Sequence, residues 1–310
     1  MDLKTWNFLC FFVHGAQGIA AIILTALSLE NAKNFRVPLK THYAVWDQEL
    51  GPQDATQNVA VLHFAAITCA VPFLSAIAHL LMWWKNGTYE KKIEKFQNPY
   101  RWLEYSISST LMFFLICLLF SIYDLNTLIL LMTLNVVVML TGYFMERDNA
   151  DNINGNSIII KWDMFYLGSF LAIIQWAIVF STLTTTDDSM PPLIWAVIFV
   201  YLYLFSVFPI NMWNFYYSVN REKTTPWKDT LFIFFPFLFT LKNTKKSTTG
   251  SYELITEETD KLKKTDKLKN LYEETEVRYM ILSLTSKSFL LWLILFGVNQ
   301  PSSYTQSNII

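Results

Sequence analysis

Charge is scarce in this chain. Asp, Glu, Lys and Arg make up only 16% of its 310 residues and leave a net charge of −1. There is no basic excess and no nucleic-acid motif, so DNA and RNA are not expected partners. Cysteine is scarcer still: Cys10, Cys69 and Cys117 all fall inside apolar runs and read as small core residues. They form neither a disulfide framework nor a set of metal ligands. No metal site and no enzyme activity are expected. What the chain has instead is apolar length, with 53% hydrophobic and 16% aromatic residues and its charges bunched between long apolar stretches. That is the composition of a multi-pass membrane protein.

Seven apolar segments are long enough to span a bilayer, which predicts an all-α seven-transmembrane-helix bundle in one domain over residues 1–310. The first, 6–29, is about 24 residues long and exceeds the roughly 7–15 residues of a signal-peptide core. A polar loop with β-prone fragments, 30–58, follows it and reads as a long external loop or hairpin. The second span is 59–84. Asn98-Pro99 then supplies an N-cap and a proline at the first helical position, so the third span starts there and runs over 99–123. The fourth is 125–145, followed by an acidic, asparagine-rich loop at 146–157. The fifth and sixth are 158–183 and 191–219, the latter with Pro209 set to kink it. A lysine-rich insert, 220–276, contains the mostly apolar run 230–241, too short to cross and read as interfacial or re-entrant. The closing span is 277–299. Lysine and arginine concentrate between spans two and three and between spans six and seven, while the turns near Asp124 and 184–190 have none. By the positive-inside rule the amino terminus is cytoplasmic and the carboxyl terminus extracellular.

Lys287 stands near the middle of the closing span. A cation at mid-bilayer costs roughly 2.5–3.5 kcal/mol on insertion scales, so it calls for a partner, a water cavity or a chemical task. About ten residues from either end, it is too deep to snorkel. A structural ion pair is the plain alternative to a functional lysine.

Glu104, about five residues into span three, is the carboxylate at a matching depth. It lies roughly 7–8 Å below the helix start and Lys287 roughly 15 Å below its own, at 1.5 Å per residue. Helical side chains lean toward their amino terminus, so the long lysine reaches back to the carboxylate. A lysine that forms an imine with an aldehyde keeps its charge when protonated, and inside a bundle that charge needs a carboxylate nearby. All-trans retinal is the aldehyde that suits a pocket of aromatic and sulfur-bearing residues. Met112, Trp176, Phe205, Phe208 and Trp292 stand at pocket depth, and Ser108 is placed with them. Aromatic residues alone signify little, since most are core packing.

R-W-L-E-Y-S in span three and R-Y-M-I-L-S-L-T-S-K-S in span seven resemble the heliorhodopsin family, and the resemblance extends over all seven helices. It implies a light-absorbing photoreceptor with Lys287 as the Schiff-base lysine and Glu104 as the counter-ion. Ser283, one turn before the lysine, occupies the place of a second carboxylate in ordinary microbial rhodopsins, so a single counter-ion is implied. F-S-V-F-P, from Phe205, resembles the ring-flanking motif of the pocket. His14 and His79 match internal histidines with a proton-relay role, although buried histidines are commonly packing residues. The inside amino terminus agrees with the family's inverted orientation, and a homodimer is implied. The insert after Trp227 departs from the compact family loop. Leu115 stands where a pump would carry a carboxylate, which favours a sensor. Two rivals stay open. One is a light-gated ion or proton conductance lined by Asn135, Asp163, Asn211 and Asn214. The other is a retinal-free transporter or receptor in which Lys287 and Glu104 form only a salt bridge.

Overall fold

The computed structural model describes residues 2–27, 35–154, 159–183, 192–220 and 257–298. The expected interfacial run 230–241 and the turn at 184–190 lie outside the described residues. The elements are α1 (Leu3–Leu27), β1 (Arg36–Asp47), β2 (Gly51–His63), α2 (Phe64–Trp84), α3 (Asn86–Ile93), α4 (Pro99–Leu119), α5 (Leu125–Asn154), α6 (Asp163–Leu183), α7 (Pro192–Asn220) and α8 (Glu257–Val298). Among them seven helices, all but α3, are long and apolar enough to cross a membrane. The protein is an all-α, seven-helix integral membrane protein.

Several boundaries differ from the hydropathy reading, each for a local reason. Residues 59–63 are strand, not helix: β1 and β2 form an antiparallel hairpin in which Val37 pairs with Leu62 and Leu39 with Ala60. Buried Val37 and Leu39 anchor the hairpin on the bundle core, and the Lys40 amide donates to the Tyr123 carbonyl at 2.9 Å. Helix α2 therefore starts only at Phe64, where the His63 imidazole accepts from the Ala66 amide.

Helix α5 runs through the expected acidic loop as far as Asn154, because Glu146, Asn149, Ala150 and Ile153 present a buried face. Asn149 then clamps the next segment. Its amide donates to the Lys161 carbonyl and its carbonyl accepts from the Lys161 amide at 2.8 Å, which holds 159–162 non-helical and delays α6 to Asp163. Helix α8 begins at Glu257, well before the apolar span. Leu268, Leu271 and Tyr272 continue its packed face against the bundle, so part of the lysine-rich insert is helical. The basic stretch between α2 and α4 folds into α3, whose Tyr89 and Ile93 are buried.

Candidate functional site

Helix α8 carries Lys287 into the centre of the bundle, where it is 3% exposed and forms a salt bridge with Glu104 of α4. Asn98 starts α4, its side chain accepting from the Arg101 amide with Pro99 following; that start sets the depth of Glu104. A third residue completes the centre. Ser75 of α2 donates to Glu104 Oε1 at 2.8 Å and accepts from Lys287 Nζ at 2.6 Å. The pair is thus desolvated and held from three helices. The Lys287 ammonium also lies 5.5 Å from the centre of the Tyr105 ring, within reach of a cation–π attraction.

A cavity of about 600 Å³ opens from Lys287 between α4, α5, α6 and α7. That falls in the roughly 300–1,000 Å³ range of small-molecule sites. Of the pocket residues expected from the sequence, Ser108, Met112, Trp176, Phe205, Phe208 and Ser283 line it. Trp292 does not. Five residues beyond Lys287 is about 1.4 turns of helix at 3.6 residues per turn, so its side chain leaves by another face and packs beside Ala21 and Cys69. Trp176 sits edge-on to Phe113 at 5.6 Å and tilted against Phe205 at 6.0 Å. Ile173 of α6 and Ser206 of α7 line the cavity and are themselves exposed. The hydroxyls of Ser108 and Ser283, both buried, have no hydrogen-bond partner among the described residues.

His14 and His79 stack at 5.8 Å with an interplanar angle of 11°. His79 Nδ1 lies 2.8 Å from Asn7 Oδ1, whereas neither nitrogen of buried His14 has a partner among the described residues. The polar residues considered for a conducting path are differently placed. Asp163 is exposed at the start of α6. Asn135 donates to Ser109 and Thr110 and accepts from Gln175, and Asn211 donates to the Thr275 carbonyl.

Sequence reasoning missed a second buried centre nearer the start of α4. Arg101 is clamped between Glu146 of α5 and Glu276 of α8, in ion pairs buried on both sides. Its guanidinium also lies 4.1 Å from the Tyr279 ring centre and 4.8 Å from that of Trp102. Gly142 makes room for the Trp102 ring, which any Cβ there would strike, and Trp102 Nε1 then reaches Glu146 at 2.8 Å. Ser75 was missed as well, since a lone serine on an apolar helix carries no signal. Glu146 had one: it follows an apolar run without a break, with Asn149, Ala150 and Ile153 at helical spacing.

The sequence profile of the heliorhodopsin family matches residues 3–237, most of the chain. The chain belongs to the heliorhodopsin family. This makes it a photoreceptor of a retinal-binding family and not an enzyme. The match ends before α8, so the place of Lys287 rests on the geometry above. Among solved structures the chain is similar to halorhodopsin, a light-driven chloride pump, with 9% identity, a TM-score of 0.53 and coverage of 96% of this chain and 95% of that one. At that identity the likeness speaks for the seven-helix fold alone. A thermophilic rhodopsin from Rubrobacter xylanophilus aligns at 13% identity and TM-score 0.43, covering 95% of this chain and 99% of that one. Exiguobacterium sibiricum rhodopsin aligns at 12% and 0.45, covering 94% and 97%. Among curated proteins nothing matches the chain.

Proposed function

We propose that this heliorhodopsin is a light sensor that holds all-trans retinal as a Schiff base on Lys287, with Glu104 as its sole counter-ion. The observation that carries the reading is that buried Lys287, paired with Glu104, lines a 600 Å³, mainly apolar cavity. Unpartnered Ser108 and Ser283 hydroxyls near the lysine suit a cavity that receives a ligand with a polar end. When bound, retinal supplies visible absorption and light-driven isomerisation.

The protein's own residues do the rest. Glu104 balances the positive charge at the Lys287 nitrogen, and in a low-dielectric bundle that carboxylate sets how firmly the nitrogen holds its proton. Ser75 positions both partners. Trp176, Phe205, Phe208 and Met112 exclude water and limit movement within the cavity. The stacked pair His14 and His79 offers a place for a proton to move on the Asn7 side. Ser283 leaves the site without a second carboxylate, and Leu115 leaves α4 without a pump-type one, which favours a sensor. The polar side chains Asn135 and Asn211 are engaged in helix-to-helix bonds, so they favour a packed bundle over a conducting path. Loop lysines argue for a cytoplasmic amino terminus, an extracellular hairpin and a cytoplasmic 220–276 segment, and the family resemblance argues for a homodimer.

The experiment is an absorption spectrum of the purified protein with and without all-trans retinal, alongside Lys287→Ala. A visible band that needs both retinal and Lys287 is expected. A retinal adduct that survives Lys287→Ala, or no band in the wild type, sinks the reading. Illumination under voltage clamp separates the sensor, which passes no current, from a light-gated channel.

A further inference from the structure

The Arg101 centre holds two carboxyl groups and one guanidinium. Glu146, 3% exposed, and Glu276, 1% exposed, both pair with Arg101. Glu146 receives four donors: Arg101 Nη2 at 2.7 Å and the Tyr272 hydroxyl at 2.6 Å on Oε1, and the Asn98 amide and Trp102 Nε1, each at 2.8 Å, on Oε2. Three of those donors, the Arg101, Asn98 and Trp102 N–H groups, cannot reverse to accept, and with Tyr272 they occupy the roughly four lone-pair sites of an ionised carboxylate, so Glu146 is the better solvated of the two as an anion. Glu276 receives two, from Arg101 Nη1 and, at 2.6 Å, from Asn98 Nδ2.

Counting the charges that face Glu276 from each packed helix decides the balance. Helix α4 brings Arg101 and Glu104, α5 brings Glu146, and α2 brings His79. On α8 itself, Lys287 is matched by Glu104 and Arg278 by Glu274. Arg101 is matched by Glu146, and one buried carboxyl is left over. A buried carboxylate without its own counter-charge takes up a proton instead of staying ionised.

A small space of about 20 Å³ adjoins Glu276, bounded also by Glu104, His79, Arg101 and Asn98. It exceeds the roughly 10–15 Å³ that one water needs. Arg101 Nε, a buried donor on this boundary, has no acceptor among the described residues. We propose that Glu276 is a proton-binding site, carrying a proton in the resting protein, and that one water in this space links it to Glu104 and His79. A proton can then pass from the Glu276 O–H to the water while the water gives one of its own to Glu104. The Glu276 acid becomes a carboxylate, the Glu104 carboxylate becomes an acid, and net charge is conserved.

The resting proton is tested in the dark at neutral pH, by infrared spectroscopy of the full chain grown with carboxyl-13C glutamate. The wild type is expected to show a carboxylic-acid C=O band at the isotope-shifted position. Glu276→Gln should abolish it. Glu276→Asp, which keeps a carboxyl group but brings an unlabelled one, should move the band to the unlabelled position, and it serves if the glutamine variant does not fold. No acid band in the wild type, or a labelled band that survives in Glu276→Asp, overturns the proposal. Colour plays no part in this measurement, so its failure is distinguishable from failure of the retinal reading.

Discussion

Two buried charged centres share α4 and α8, and they are built to opposite plans. The Arg101 centre is packed on every side. Apart from Arg101 Nε, the guanidinium, the Glu146 and Glu276 carboxyl groups, Tyr272, Trp102 and Asn98 bond one another, and the remaining space is the size of one water. The Lys287 centre is satisfied on one side only, by Glu104 and Ser75, and faces a large cavity on the other. A sealed cluster with donors from several helices holds a bundle in register. An ion pair at the head of a cavity is expensive to maintain and repays that expense only if something else occupies the site. The difference separates the residues that hold this heliorhodopsin together from those proposed to give it colour.

Substitutions should split along that line. The largest loss of stability is expected from Glu146→Gln, which breaks a buried ion pair and sets an amide N–H₂ against donors. The cost should reach about 3–5 kcal/mol, as for removal of one partner of a buried pair. Thermal unfolding of the membrane-embedded protein measures it, and whatever folds should keep the visible band. Lys287→Ala should do the reverse. The band vanishes, while the stability cost should be smaller than that of Glu146→Gln, since truncating the lysine leaves Glu104 space for water and the option of taking up a proton. If Lys287→Ala proves the more destabilising of the two, the contrast between the centres fails.

Glu104→Gln sharpens the comparison within the open centre. It should either shift the absorbance to longer wavelength or, where the nitrogen loses its proton, to short wavelength at neutral pH. Acid titration of the wild type should reproduce the red shift, and a variant matching the wild type in both spectrum and titration would assign the balancing charge elsewhere. Smaller is the effect expected of replacing His14 and His79 together with phenylalanine: altered transient-absorption kinetics with little change in the resting spectrum. Unchanged kinetics would reduce the stacked pair to packing.

The smallest effect lies outside both centres. The Thr127 amide and hydroxyl each donate to Asp124 at 2.7 Å at the start of α5, and they hold its carboxyl below the ordinary aspartate value. Asp124→Ala should cost about 1 kcal/mol, as for loss of a helix N-cap. Because the folded value is the lower one, this contribution is present above the unfolded value of about 3.9 and is lost as pH falls through the folded value. Wild type and variant should therefore converge in stability toward acid.

The sequence alone determined how many times the chain crosses the membrane, because the length and hydropathy of a span are properties of consecutive residues. It singled out Lys287 for the same reason, since an isolated charge in an apolar run needs no neighbour to be conspicuous. Glu104 followed from depth along two helices. What the tertiary structure decided depends on residues far apart in the chain. Ser75 becomes part of the centre only when α2 lies beside α4 and α8. Glu146 and Glu276 read as the edges of loops until Arg101 draws them together across gaps of 45 and 175 positions. Val59 to His63 are apolar enough for a helix, and they form a strand because β1 offers them a ladder of backbone partners. Trp292 has the right residue type at the wrong helical angle. Hydropathy is summed along the chain, whereas hydrogen bonds and ion pairs are made across it, and only the packed bundle brings those partners within reach.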